Sequence, residues 1–185
     1  MEKIGKYDPV VHYTKIIKSN PSDFRAYNNR GNAYQKKGEY DLAIADYNKA
    51  IELNTEFYLA YINRGNVYQR KGEYDLAIAD YNKAIELNPE SDMAYNNRGF
   101  TFVLLGEYDK AERDIQEALK ISPNNIYALN SMAELYSVRN EPAEACRWLR
   151  KAIEKGYTNW NYIKTSSTYD NIRNSPCYEE IVAGK

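Results

Sequence analysis

The chain has 185 residues, with 25 basic and 26 acidic side chains, 43% hydrophobic residues and 19 tyrosines. That composition suits a folded protein with a sizeable core and argues against global disorder. A net charge of −1 argues against nucleic-acid binding, which usually needs a basic patch, and no apolar run approaches the ~18 residues needed to span a bilayer.

In chain order, Met1 to Tyr7 lacks the apolar stretch of a signal peptide. Asp8-Pro9 has the form of a helix start, an acidic cap followed by proline in the first turn, and predicts a capping helix over Pro9–Ser19 that closes at Asn20-Pro21. From Arg25 to Lys37, Ala26, Tyr27, Arg30, Gly31 and Tyr34 recur at helical spacing. Gly38 then offers the positive φ of a helix C-terminus. A second helical face follows in Tyr40, Ala43, Ile44, Tyr47, Ala50, Ile51 and Leu53, with Asp41 at the positive end of its dipole. It stops near Asn54-Thr55.

The segment Lys37–Asn54 recurs without one change at Lys71–Asn88. The same offset links Gly31, Gly65 and Gly99, then Gly38, Gly72 and Gly106, then Ala43, Ala77 and Ala111. A fixed period of this size marks stacked units that cannot bury their apolar faces alone. Asn88-Pro89 and Ser122-Pro123 close later units, because proline cannot extend a helix. Trp160, Tyr162 and Ile163 then suggest one more first helix, and Ser175-Pro176 opens a short helix holding Cys177, Tyr178, Ile181 and Val182.

This pattern resembles the tetratricopeptide repeat (TPR) family, with Tyr27, Gly31, Tyr34, Ala43, Tyr47 and Ala50 at signature positions of the first unit. The resemblance implies an all-α, right-handed superhelical solenoid of antiparallel helix pairs. Its expected segments are a capping helix in 1–23, repeats at 24–57, 58–91 and 92–125, a degenerate repeat at 126–157 and a helical cap at 158–185. In the degenerate unit Asn140 replaces the turn glycine. The stretch from Gly156 through Asp170-Asn171-Ile172-Arg173 to Val182 is similar to the terminal units of some bacterial repeat arrays.

Candidates for chemistry are few. His12 is the single histidine and sits on the capping helix. Cys146 and Cys177 lack zinc spacing, and no glycine-rich phosphate loop occurs. Neither an enzyme, a cofactor nor a metal is expected. With two cysteines only, the simplest expectation is a reducing cytoplasm with both thiols free.

Arg30, Arg64 and Arg98 share one repeat position, and Asp46, Asp80 and Asp114 share another. In the fourth unit both change together, to Met132 and Trp148. Joint exchange of a charged for an apolar couple predicts contacting ion pairs, between paired helices or across adjacent repeats. The rival reading has the arginines gripping an acidic partner.

The family resemblance further implies a concave groove lined by first helices, binding an extended peptide or helix of a partner protein. Its polar part would comprise Asn28, Asn29, Asn32 and Lys36, then Asn63, Asn66 and Arg70, then Asn97. Met93, Phe100, Val103 and Leu104 would form an apolar patch, with Tyr127 beyond it, unless the chain's own tail covers the patch. The asparagines could pair with a peptide backbone or be merely duplicated surface residues. A known chaperone-carboxylate clamp of the family is incomplete here, because Asn28, Met93 and Asn97 stand where its cations belong. The expected function is a non-catalytic protein-interaction scaffold without nucleic-acid or membrane partners. The alternative is a self-assembling, homo-oligomeric module.

Overall fold

The computed structural model describes residues 7–185. The expectation about Met1 to Tyr7 falls, Tyr7 apart, outside the described residues, as does the start of the 1–23 cap. The described residues are helical, without strands. They comprise α1 Pro9–Ser19, α2 Phe24–Lys37, α3 Tyr40–Leu53, α4 Tyr58–Lys71, α5 Tyr74–Leu87, α6 Asp92–Leu105, α7 Tyr108–Ile121, α8 Ile126–Val138, α9 Pro142–Glu154, α10 Trp160–Thr165 and α11 Pro176–Val182, with a 3-10 helix at Ser167–Ile172. Two compact units result, one ending at Pro89 and the other spanning Glu90–Lys185.

In the N-terminal unit α2 pairs with α3 and α4 with α5, and α1 lies against α2. Caps and turns explain these boundaries. Asp8 Oδ1 accepts from the Val10 N–H at 2.9 Å, and Asp23 Oδ1 from the Ala26 N–H at 3.0 Å, each satisfying an orphan donor. Gly38 and Gly72 end the first helices at φ of 78° and 77°, where a Cβ would be strained.

Small residues let the paired helices approach. A Cβ on Gly31 would stand 2.6 Å from Tyr47 Cε1, and one on Gly65 2.8 Å from Tyr81 Cε1. Both rings are fully buried. Gly65→Val should therefore destabilise the α4–α5 pair by on the order of 1–3 kcal/mol. Denaturant unfolding checks this, and an unchanged midpoint would show that the ring can yield.

The tyrosine excess has two structural uses. Tyr47 and Tyr81 fill the space beside the glycines, and their hydroxyls reach Asn32 Oδ1 and Asn66 Oδ1, each at 2.8 Å. Tyrosines three residues before and four after Arg30 and Arg64 flank the guanidinium groups: Tyr27 and Tyr34 lie 5.7 and 5.9 Å from Arg30, and Tyr61 and Tyr68 the same distances from Arg64. Aromatic faces at that range attract a cation.

In the C-terminal unit α6 pairs with α7 and α8 with α9. Asn140 takes the αL role of the missing turn glycine at φ 60°, a conformation that asparagine tolerates better than most residues. The tail completes the last pair instead of merely capping it. The 3-10 helix packs on α8 and α11 on α9, and Leu129, Leu149, Ile163, Tyr169, Ile172 and Tyr178 share one buried cluster.

Two expectations are corrected here. Cys146 and Cys177 are not free thiols: the docking of α11 on α9 brings their Cα atoms to 6.1 Å and the sulfurs are bonded. The argument from free thiols to a reducing compartment falls with them. Val103 does not belong to an open apolar patch; it is buried in the cluster with Ala111, Ile115, Met132 and Leu135.

Candidate functional site

The charged couples come together within each helix pair. Arg30 Nε and Nη2 donate to the two Asp46 oxygens at 2.8 and 2.7 Å. Arg64 does the same to Asp80 at 2.8 and 2.6 Å, and Arg98 to Asp114 at 2.6 and 2.8 Å. Arg30 also reaches Thr14 on α1, and Arg64 reaches Asn48 on α3, so these two forks tie their own pairs to the preceding helix. Burial holds the Asp80 carboxyl above its ordinary value, with Arg64 pulling against it. These arginines are committed to the interior and are poor candidates for gripping a partner. In the fourth repeat Met132 and Trp148 pack into one apolar cluster instead.

The asparagines of the N-terminal unit are engaged among themselves. Asn28 is buried, against the expectation that it faces an open groove, and its Oδ1 accepts from Asn63 Nδ2 at 2.9 Å. Asn28 Nδ2 donates in turn to Asn29 at 3.4 Å. Asn32 and Asn66 hold the buried tyrosine hydroxyls, so these two amides have a packing function whatever else they do. Asn29 and Asn63 are half-buried on the same helical face, with Lys36 and Arg70 exposed at its end.

In the C-terminal unit the first-helix face carries a cavity of about 170 Å³, with Asn96, Asn97, Phe100, Tyr127, Asn130, Ser131, Glu134, Tyr157 and Tyr162 around it. Tyr127 is 64% exposed beside it, and Met93 and Leu104 are exposed on α6. The tail therefore builds part of this site through Tyr162 and does not close it. Glu134 lies at its floor. Its Oε1 accepts from Tyr162 at 2.5 Å and from Thr168 at 2.7 Å, and its Oε2 accepts from Asn130 at 2.6 Å. Tyr169 donates to Asn130 Oδ1 at 2.9 Å. The repeat register explains the arrangement: Glu134 occupies the position of Asn32 and Asn66, but Leu149 stands where Tyr47 and Tyr81 stood, so the tail supplies the hydroxyls.

Burial pushes the Glu134 carboxyl from 4.5 up to about 7, against the pull of the Tyr162, Thr168 and Asn130 donors. The folded state holds this proton at pH values where the unfolded chain has lost it, so stability falls as pH rises across that window. The loss reaches roughly 3 kcal/mol once pH exceeds the folded value. Denaturant unfolding at about pH 5 and about pH 8 should show this decline, and Glu134→Gln should remove most of it. An identical pH profile in parent and variant would contradict the assignment.

Among the described residues no group of three or more His, Cys, Asp or Glu side chains is placed to hold a metal ion, and no helix is long and apolar enough to cross a membrane. A tetratricopeptide repeat model matches residues 24–57, 58–91 and 93–125, and a second such model matches 126–156. The chain belongs to the tetratricopeptide repeat family. No curated protein matches it in sequence.

Among solved TPR structures, MamA is 29% identical, with a TM-score of 0.66 over 79% of this chain and 85% of MamA. YrrB, described as a TPR protein with an unusual peptide-binding site, is 25% identical, with a TM-score of 0.63 over 91% of this chain and 88% of YrrB. The first TPR of Spaghetti (RPAP3), solved with an HSP90 peptide, is 30% identical, with a TM-score of 0.58 over 60% of this chain and 89% of that one. TPR arrays are in general non-catalytic interaction scaffolds, and this TPR fold supports that broad role.

Proposed function

We propose that this TPR protein is a scaffold that holds an extended segment of a partner protein against the first-helix faces of its units. The observation that carries the reading is the exposure of Tyr127, a large aromatic ring, beside a polar-floored cavity on the first-helix face of the C-terminal unit. Isolated exposed apolar residues are ordinary, but an aromatic anchor beside a pocket with fixed polar groups is the usual composition of a recognition site. In the N-terminal unit the corresponding face offers Asn29 and Asn63 with Lys36 and Arg70, which suits a polar or acidic stretch of the ligand. Peptide binding by YrrB and by the RPAP3 repeat supports the same use of the fold.

Selection of displayed random peptides on the intact protein tests the proposal. Enriched peptides should bind the parent protein and lose roughly 30-fold in affinity to Tyr127→Ala, the scale of an interface anchor. Because Tyr127 is exposed, that variant should keep the parent's thermal stability. Failure to enrich any peptide, or unchanged affinity for Tyr127→Ala, would count against the assignment.

A further inference from the structure

The repeat period aligns Asn28 and Asn63 of the N-terminal unit with Asn96 and Ser131 of the C-terminal unit. In the first couple the Asn63 amide donates to Asn28 Oδ1. In the second, serine stands where the donor carboxamide would be. Asn96 is 6% exposed, and its Oδ1 is buried without a hydrogen-bond partner. Buried acceptors are rarely left in that state. Asn96 lines the cavity beside Glu134.

The rest of the cavity has matching chemistry. Glu134 Oε2 accepts from Asn130, and a carboxylate oxygen has capacity for a second donor. The rings of Phe100, Tyr127 and Tyr157 stand around the site, the two tyrosines edge to face with centroids 6.2 Å apart. No lysine or arginine lines the cavity. A carboxylate and an unpartnered carboxamide oxygen among aromatic rings favour a cation. At about 170 Å³ the space lies below the ~300 Å³ of ordinary small-molecule sites and suits the end of one side chain. Guanidinium prefers both oxygens of a carboxylate, and Glu134 Oε1 is already taken by Tyr162 and Thr168, so a compact ammonium fits better.

We propose that this cavity receives the ammonium group of a lysine side chain from a partner segment. The inference rests on the peptide-binding reading and adds a specificity to it. Anchoring of the tail accounts for the bonds from Tyr162 and Thr168 to Glu134, but it leaves the unpartnered oxygen of Asn96 without a purpose.

The test uses two probes on the intact protein, followed by amide and side-chain NMR. Nα-acetyl-lysine amide at millimolar concentration should give saturable shifts at Asn96, Asn97 and Tyr157, and the norleucine analogue should give none. Ser131→Asn restores the carboxamide that Asn63 supplies to Asn28. It should raise the melting temperature while weakening the lysine response at least tenfold, which separates loss of the site from loss of the fold. Display-selected peptides should lose at least tenfold when their lysine becomes norleucine. Equal shifts with the two probes, lysine-independent peptides or an unaffected Ser131→Asn response would each overturn the lysine site while leaving peptide binding intact. Absence of any selected peptide would count against the broader reading, and the amino-acid probes would still decide the cavity.

Discussion

Replacing Arg64 by methionine lowers the stability of the α4–α5 pair by about 3–5 kcal/mol, because Asp80 is left as a buried charge without its partner. The magnitude follows from burial: the Arg64 and Asp80 side chains are 20% and 7% exposed, and both carboxylate oxygens are used. A surface pair would be worth only about 0–1 kcal/mol. The outcome reverses when both charges go. Arg64→Met with Asp80→Leu should return to within about 2 kcal/mol of the parent, because an apolar couple avoids desolvating either ion. The chain already makes this exchange at Met132 and Trp148. Native-state hydrogen exchange of the α4 and α5 amides reads the local effect in an array whose repeats contact only their neighbours. A double variant as damaged as the sum of the two singles would show that the pair is not coupled.

Reduction of the Cys146–Cys177 bond lowers the stability of the C-terminal unit by about 3–4 kcal/mol on a chain-entropy estimate, since the cross-link closes a loop of moderate length. The sequence separation is 31. The effect should concentrate on α11, whose other attachments include its packing on α9, Tyr178 to the Ile163 carbonyl at 2.6 Å and Arg150 to Glu180 at 2.5 Å. Cys146→Ser with Cys177→Ser should reproduce the loss and make the protein insensitive to reductant. Mass spectrometry of the unreduced protein should find the two cysteine peptides linked. Two titratable thiols in the unreduced protein, or an unchanged unfolding midpoint after reduction, would contradict it.

The parts of this structure that follow the repeat period were legible in the sequence, and the parts that break it were not. Gly31 and Gly65 recur at a fixed interval because each meets the same buried ring, Tyr47 or Tyr81. The Arg–Asp register was readable because the fourth repeat loses both members at once. Asn32 and Asn66 recur for a reason that composition cannot reveal: they hold tyrosine hydroxyls from the partner helix. The 3-10 helix at Ser167–Ile172 has no apolar period to announce it, and its contribution through Thr168 and Tyr169 emerges only in three dimensions. The disulfide likewise depends on α11 folding back onto α9. The cavity left a fainter trace, since Ser131 interrupts the register of Asn29, Asn63 and Asn97, and Phe100 and Glu134 depart from that of Asn32 and Asn66.

The proposed function puts the binding surface on the first-helix faces. The rival exposed surface is the second-helix face, where Leu42 and Leu76 are open to solvent. Amide chemical-shift mapping of the intact protein with a display-selected peptide decides between them. Shifts are expected at Asn29, Asn63, Asn97 and Tyr127, with the amides around Leu42 and Leu76 unmoved. Shifts centred on Leu42 and Leu76, with the first helices silent, would contradict it.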